Sequence, residues 1–484
     1  MSYRIQLLTL AVFSCIAAAA SADSDWTQFR GPGGTGIADG ERPPIEIGPE
    51  KNVLWKAPVP SGLSSPIVVG DKLLLTALDD GKLYTIAYNR SDGSEAWRAH
   101  APAKELEPYH KTEGSPAAST PASDGQRIVS YFGSCGLFCY DLAGKELWRH
   151  ELPPAKTIAD FGTGVSPILV DGIVVLLHDD LSHPMILALD AVTGKKLWEV
   201  KRESKSGFGT PTVWNTPEGK QVAAPGYGRL IGYDLKSGEE KWSVEGMPSS
   251  SCTTPVIAEG NLFYAGWSPG DSEDTDFKMP PFDEILKQNN ADADGDGVLS
   301  KAESQNSMMK DFFDNQDADK DGRLTREEWE TMLAYIAASK NSAFALKPGG
   351  SGDVTHSHVL WKQTKGLPYV PSAILYRGQY VMVKDGGIVT AYDAATGEEI
   401  YQKRAVASGG YYASPIAADG HIYFASLADG AVTVLAAGAK KPEVVAENPP
   451  LGERLAATPA IADNTLYVRT AGHLYAFARK DSQN

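Results

Sequence analysis

The chain has 484 residues, with 45 Lys and Arg against 61 Asp and Glu, a formal net charge of −16. Hydrophobic residues make up 42 % and charged residues 22 %, the proportions of ordinary globular protein. The acidic balance argues against a nucleic-acid partner, whose phosphates demand clustered Lys and Arg, and no internal apolar run reaches the ~18–20 residues that span a bilayer, so no transmembrane segment is expected in the mature chain.

Arg4 precedes an apolar stretch from Leu7 to Ala20, followed by Ala20-Ser21-Ala22. A positive start, a short apolar core and a small-x-small site predict a signal peptide over 1–22, cleaved after Ala22, and so an exported protein, periplasmic or secreted. The mature chain keeps Cys135, Cys139 and Cys252. An odd number leaves at least one thiol free. Cys135 and Cys139 lie four apart around Gly136 in one strand or hairpin; a bridge between them is one reading and two neutral core thiols the favoured one, with no His at zinc spacing beside them. Residues 23–51 are rich in Gly and Pro and predict an irregular segment packed on the main body, with Arg30 as an anchor.

Self-similarity then governs most of the chain. A Ser/Thr-Pro element recurs at Ser65-Pro66, Thr120-Pro121, Ser166-Pro167, Thr210-Pro211, Thr254-Pro255, Ser414-Pro415 and Thr458-Pro459, with Pro371-Ser372 as a degenerate eighth copy. The intervals between these prolines are 55, 46, 44, 44, 116, 44 and 44 residues. Each unit reads as four short strands, the signature of a propeller blade. The last strand of a unit carries an aromatic at Trp97, Trp148, Trp198, Trp242, Trp361 and Tyr401, with Val444-Val445 in the seventh. The eighth unit ends at Phe477 without that strand, and Asn52-Val53-Leu54-Trp55-Lys56 supplies it from the front of the chain. The expected fold is therefore all-β: an eight-bladed propeller closed by an N-terminal strand, leaving no free sheet edge around the ring. In the full motif, Ala188-x-Asp190-x-x-Thr193-Gly194-x-x-x-Trp198, the Asp bonds turn backbone, the Gly accepts positive φ and the indole packs between blades. The six tryptophans of this kind, Trp55 included, read as structural.

This motif resembles the tryptophan-docking element of the eight-bladed pyrroloquinoline-quinone (PQQ) dehydrogenase-like propellers, over roughly residues 50–478 apart from one insertion. The resemblance implies the fold. For activity it implies either a quinone-dependent alcohol or sugar dehydrogenase or an inert binding member, such as the propeller lipoprotein of the outer-membrane β-barrel assembly machine. The run Asp25-Trp26-Thr27-Gln28-Phe29-Arg30-Gly31-Pro32-Gly33-Gly34-Thr35-Gly36 is similar to the leader of exported PQQ-like repeat proteins of planctomycete-type bacteria. A dehydrogenase of this family would hold PQQ and calcium in its central funnel, beside a carboxylate base. The alcohol-oxidising members carry a disulfide between adjacent cysteines. This chain has no Cys-Cys pair and no Asp/Glu/Asn calcium set that aligns in the propeller, and both departures speak against bound PQQ.

The long interval contains an acidic segment. Residues 271–340 hold 18 Asp/Glu and 8 Lys/Arg, most of the net charge of the whole chain. Two twelve-residue EF-hand loops fill it. The first offers Asp292, Asp294, Asp296, the Val298 carbonyl, Ser300 and Glu303; the second offers Asp317, Asp319, Asp321, the Arg323 carbonyl, Thr325 and Glu328. Each has Gly at the sharp turn and a Glu that can bind through both oxygens, so the expected ligands are two Ca²⁺ ions. Leu299 and Leu324 would form the small β contact between paired loops, and flanking apolar residues at 3–4 spacing predict short helices around a shared core. Extracellular calcium would keep such sites loaded, which favours a structural clip on the fifth blade over a partner-binding module displayed from the propeller or a calcium sensor.

The expected layout is thus a signal peptide (1–22), an irregular segment (23–51), blades one to five (52–270, with the closing strand at 52–56), an EF-hand pair (271–345), the end of blade five with blades six to eight (346–478), and a tail (479–484). No catalytic residue is assigned. Glu107-Pro108-Tyr109-His110-Lys111, His178-Asp179-Asp180 with His183, Arg229, Lys384, Asp385, Tyr411-Tyr412 and His356-Ser357-His358 read as solvated loop residues near blade tips. The reading that follows is an exported, calcium-binding, non-catalytic scaffold with a protein, peptide or glycan partner at the propeller face. The alternative is a periplasmic PQQ-dependent dehydrogenase acting on alcohols or sugars.

Overall fold

A computed structural model describes residues 25–203, 207–269, 279–310, 313–317, 320–337 and 340–479. The expected signal peptide, calcium ligand Asp319 and most of the tail lie outside the described residues. Eight antiparallel sheets follow one another around a ring. Blade three shows the pattern: Ile168–Val170, Ile173–His178, Met185–Asp190 and Lys196–Lys201 pair in sequence order. The inner strands are apolar on both faces because each blade packs against two neighbours, so Leu176, Leu187 and Ala188 are all fully buried. The outermost strand alternates, with Trp198 buried between exposed Leu197 and Glu199.

The ring closes as expected. The eighth sheet takes its outer strand from Val53–Pro58, which runs antiparallel to His473–Phe477 from Val53↔Phe477 to Pro58↔His473. Joining the two ends of the chain in one sheet pairs an edge that would otherwise invite association with other strands.

The docking indoles lock successive blades. The Trp198 Nε1 donates to the Leu235 carbonyl of blade four at 3.0 Å, and Trp55, Trp97, Trp148 and Trp361 each make the equivalent bond at 2.9–3.0 Å. Each ring lies on the turn glycine of the next blade. A Cβ placed on Gly194, whose φ is +69°, would meet Trp148 Cδ2 at 2.6 Å, so this position needs glycine for both its conformation and its neighbour. Trp242 departs from the set. It turns back over Gly232 of its own blade and donates to Gln221 Oε1 at 2.7 Å, while Trp214 makes the contact with blade five, donating to the Gly260 carbonyl at 3.0 Å. The cause is local. Blade five has no Thr-Gly turn; its last two strands, Ser342–Leu346 and Val359–Gln363, are joined by a longer connection. Part of that connection, Gly352–Asp353, adds a fifth strand to blade four, paired in parallel at Trp242↔Gly352.

Two additions cover the ends of the ring. Residues 25–38 cross its base and bond blades one (Trp26 N to Val68 O, 3.0 Å), two (Ser123 N to Thr27 O, 2.8 Å), six (Arg30 Nη2 to Ala373 O, 2.6 Å) and seven (Ala38 N to Ala417 O, 2.8 Å). Arg30 is fully buried there and acts as the expected anchor; burial pushes its guanidinium down to about 10. At the other end, strands Asn261–Gly266 and Ser342–Leu346 of blade five pair up to Gly266↔Ser342, so the helical module springs from the turn between them. Asn341 closes its neck by pairing its side-chain amide with the backbone of Ser268, at 2.8 and 3.1 Å. The module is built on Phe282, Ile285, Leu299, Met309, Phe313, Leu324 and Trp329.

Candidate functional site

The repeated hydroxyl residue before each proline has a role the repeat alone does not reveal. The backbone N–H of one copy donates to the side-chain oxygen of the next: Ser65 to Thr120 (2.9 Å), Thr120 to Ser166 (3.0 Å), Ser166 to Thr210 (3.1 Å), Thr254 to Ser372 (2.9 Å), Ser372 to Ser414 (3.0 Å), Ser414 to Thr458 (3.0 Å) and Thr458 back to Ser65 (2.9 Å). The circuit is interrupted between blades four and five, where Thr254 Oγ1 is buried with no partner. The sixth copy uses Ser372 followed by Ala373, so the hydroxyl survives where the proline does not. The signal was present in the sequence as an unbroken set of Ser or Thr at one register position.

This circuit surrounds a central cavity of about 200 Å³. Phe29, from the segment crossing the base, reaches its lower end, and Phe161, Phe208, Tyr369 and Tyr412 line its wall. Among the described residues, Glu113 is the one charged side chain lining it. Its carboxylate accepts from the Tyr412 hydroxyl and stands 3.6 Å from Arg454, whose guanidinium lies over the Tyr412 ring. A side pocket between blades eight and one, at the end opposite the crossing segment, is lined by Lys111, Arg454 and Arg469. Arg469 is buried and already bonded to Ser64 and to the Thr76 and Pro60 carbonyls.

The polar residues expected on blade tips divide into two groups. His356 is exposed, as expected. Glu107, His178, Asp179 and Asp180 are instead at most 5 % exposed. The Glu107 backbone donates to Ser134 Oγ at 3.0 Å and its carboxylate accepts from Thr163 Oγ1 at 2.9 Å; burial pushes its acidity to about 7. Tyr131 bonds His178 Nδ1 at 2.8 Å, and burial lowers the His178 basicity, keeping the ring neutral. Asp179 is held by Arg202 at 2.8 and 3.2 Å, a buried two-point ion pair that also takes in Tyr233. These residues fasten the loops between blades one, two, three and four behind the cavity wall. Solvated tips cannot be distinguished from such a cluster in sequence, because its members are separated along the chain and meet only through the ring. Cys135, Cys139 and Cys252 are free thiols, and burial pushes each up to about 12.

In the helical module the two loops meet through Leu299↔Leu324 and Ser300↔Arg323. The carboxylates of Asp292, Asp294 and Asp296 lie within 4.8 Å of one another. Asp292 Oδ1 and Asp317 Oδ1 are buried oxygens with no hydrogen-bond partner. The other oxygen of each accepts the N–H of the turn glycine, Gly297 at 3.2 Å and Gly322 at 2.9 Å. Glu303 closes the first loop on Ser300 and Glu328 closes the second on Thr325. Arg323 reaches across to Asp296 at 2.7 Å. An oxygen-only donor set of this kind suits a hard divalent cation.

The fold and these loops define a propeller of the PQQ-like class carrying an EF-hand module. The family described as outer membrane protein assembly factor BamB matches residues 48–158, 85–268 and 345–484, more than half of the chain, and the chain belongs to it. An EF-hand family matches residues 309–333. The chain is 25 % identical over 219 residues to outer membrane protein assembly factor BamB from Burkholderia pseudomallei, covering 44 % of this chain and 52 % of that one, so it spans about half the length of that curated relative. Among solved structures it resembles BamB from Moraxella catarrhalis (12 % identity, TM-score 0.52, 89 % of this chain and 99 % of that one). It also resembles quinohemoprotein alcohol dehydrogenase from Comamonas testosteroni (13 % identity, TM-score 0.53, 94 % and 80 %). At such identities the likeness is one of fold.

Proposed function

We propose that this chain is an exported, calcium-binding propeller that serves as a non-catalytic binding platform, with a protein, peptide or glycan partner at its funnel face. The observation that carries this reading is the wall of the central cavity. A calcium–quinone pair needs several oxygen donors for the metal and a free carboxylate as base. The cavity offers Glu113, which is already bonded to Tyr412 and faces Arg454. The described residues of this wall do not fit that pair. The family match to a protein named as an assembly factor supports a protein partner.

In the EF-hand module, Asp292, Asp294, Asp296, the Val298 carbonyl, Ser300 and Glu303 would hold one calcium ion. Asp317, Asp319, Asp321, the Arg323 carbonyl, Thr325 and Glu328 would hold a second. Export rests on the pattern of residues 1–22.

Reconstitution with PQQ and calcium tests the reading. The expected result is no bound-quinone absorbance and no dye-linked oxidation of alcohols or sugars by folded, calcium-saturated protein. Turnover dependent on added PQQ would overturn it and make the dehydrogenase reading primary.

A further inference from the structure

The EF-hand module is rooted in blade five, yet it touches the loop that joins blades two and three. Its short helix Phe313–Gln316 packs on Ile158–Asp160, and Lys320 Nζ pairs with Asp160 Oδ2 at 2.6 Å. Lys320 is the fourth residue of the second calcium loop, flanked by its acidic ligands. The contacted loop is also a wall of the funnel: Phe161, Gly162 and Thr163 line the central cavity. Phe161 packs edge-on against Phe208 with ring centres 6.2 Å apart.

That loop is a poised element. Ala159 and Asp160 both sit in the left-handed region, at φ +53° and +51°, a conformation that is strained for a residue with a side chain. On its inner side Glu107 grips Thr163; on its outer side the grip is Lys320.

We propose that calcium in the second loop latches the Ile158–Gly162 segment through Lys320 and so sets the shape of the funnel mouth. This rests on the calcium reading above. The physical cause is competition for one ammonium group. Without the cation, the carboxylates of Asp317, Asp321 and Glu328 compete with Asp160 for Lys320 and weaken that pair. With it, their charge is neutralised, the divalent ion repels the ammonium, and Lys320 is released to Asp160. Occupancy of the loop and occupancy of the funnel are then linked, and each shifts the affinity of the other.

Hydrogen exchange on the full chain tests this, comparing millimolar calcium with EGTA. The reporters are the amides of Asp160, Phe161 and Gly162, which donate to Thr157 O, Ile158 O and Thr157 Oγ1. Calcium slows their exchange about fivefold or more in the natural chain. Lys320→Ala removes that slowing while both calcium loops keep theirs, and Lys320→Arg restores it. Protection of the calcium loops with no change at 160–162 overturns the latch alone, as does undiminished slowing in Lys320→Ala. Absence of any response in the calcium loops themselves overturns the calcium reading, and the latch with it.

Discussion

A carboxyl group taken out of water must either keep its charge with partners or give it up. Glu107 is 1 % exposed, and Thr163 is its side-chain partner, so burial wins and its acidity shifts from 4.5 to about 7. The consequence for stability has a definite sign. Below pH 4.5 the group is protonated in both states and costs nothing. As pH rises toward 7 the unfolded chain ionises first, so the folded state loses stability, and above 7 the loss levels off at about 3 kcal/mol. Glu107→Gln keeps the acceptor and removes the titration. Urea unfolding at pH 5 and pH 8 is expected to show the natural chain losing about 2.5 kcal/mol more than the variant between the two, since part of the loss already lies below pH 5. Parallel pH profiles would contradict the assignment. Neither this residue nor His178 and Asp180 was legible in the sequence as part of the interior. Glu107 is anchored by residues 27 and 56 positions away, a closeness that exists only once blades one, two and three are side by side.

Blade order, blade number and the closing strand were legible because they repeat. A regular spacing of Ser/Thr-Pro and of Trp needs no partner to be seen, and Val53–Pro58 could be matched to the vacancy after Phe477 by counting. Trp242 shows where counting fails. Its motif resembles the others, but its docking surface belongs to the next blade, whose turn has been replaced. The hydroxyl circuit makes a prediction at this same scale. Thr458 Oγ1 accepts the buried Ser414 N–H, so Thr458→Val leaves a buried donor unpaired and costs about 1–3 kcal/mol. Thr254 Oγ1 has no partner, so Thr254→Val removes a buried hydroxyl that was never satisfied and is neutral or stabilising. Denaturation midpoints of the two variants, compared with the natural chain, check this; equal losses would mean the circuit carries no energy of its own.

At the scale of the molecule, three parts act on one opening. The propeller makes the cavity, the segment over residues 25–38 crosses its base, and the EF-hand module reaches from blade five to the loop between blades two and three. The presence of an inserted acidic module was legible from charge and from two complete loop patterns. Its resting place was not, because the Lys320–Asp160 pair joins residues 160 positions apart and no periodicity announces it. The account stands or falls on what the module and the funnel bind. Calorimetric titration of the metal-stripped mature chain, first with calcium and then with PQQ in the same cell, measures both. The account predicts two calcium ions per chain, one lost in Glu303→Gln and the other in Glu328→Gln, and no heat on adding PQQ. Calcium silence, or one-to-one PQQ binding to the calcium-loaded chain, would contradict it.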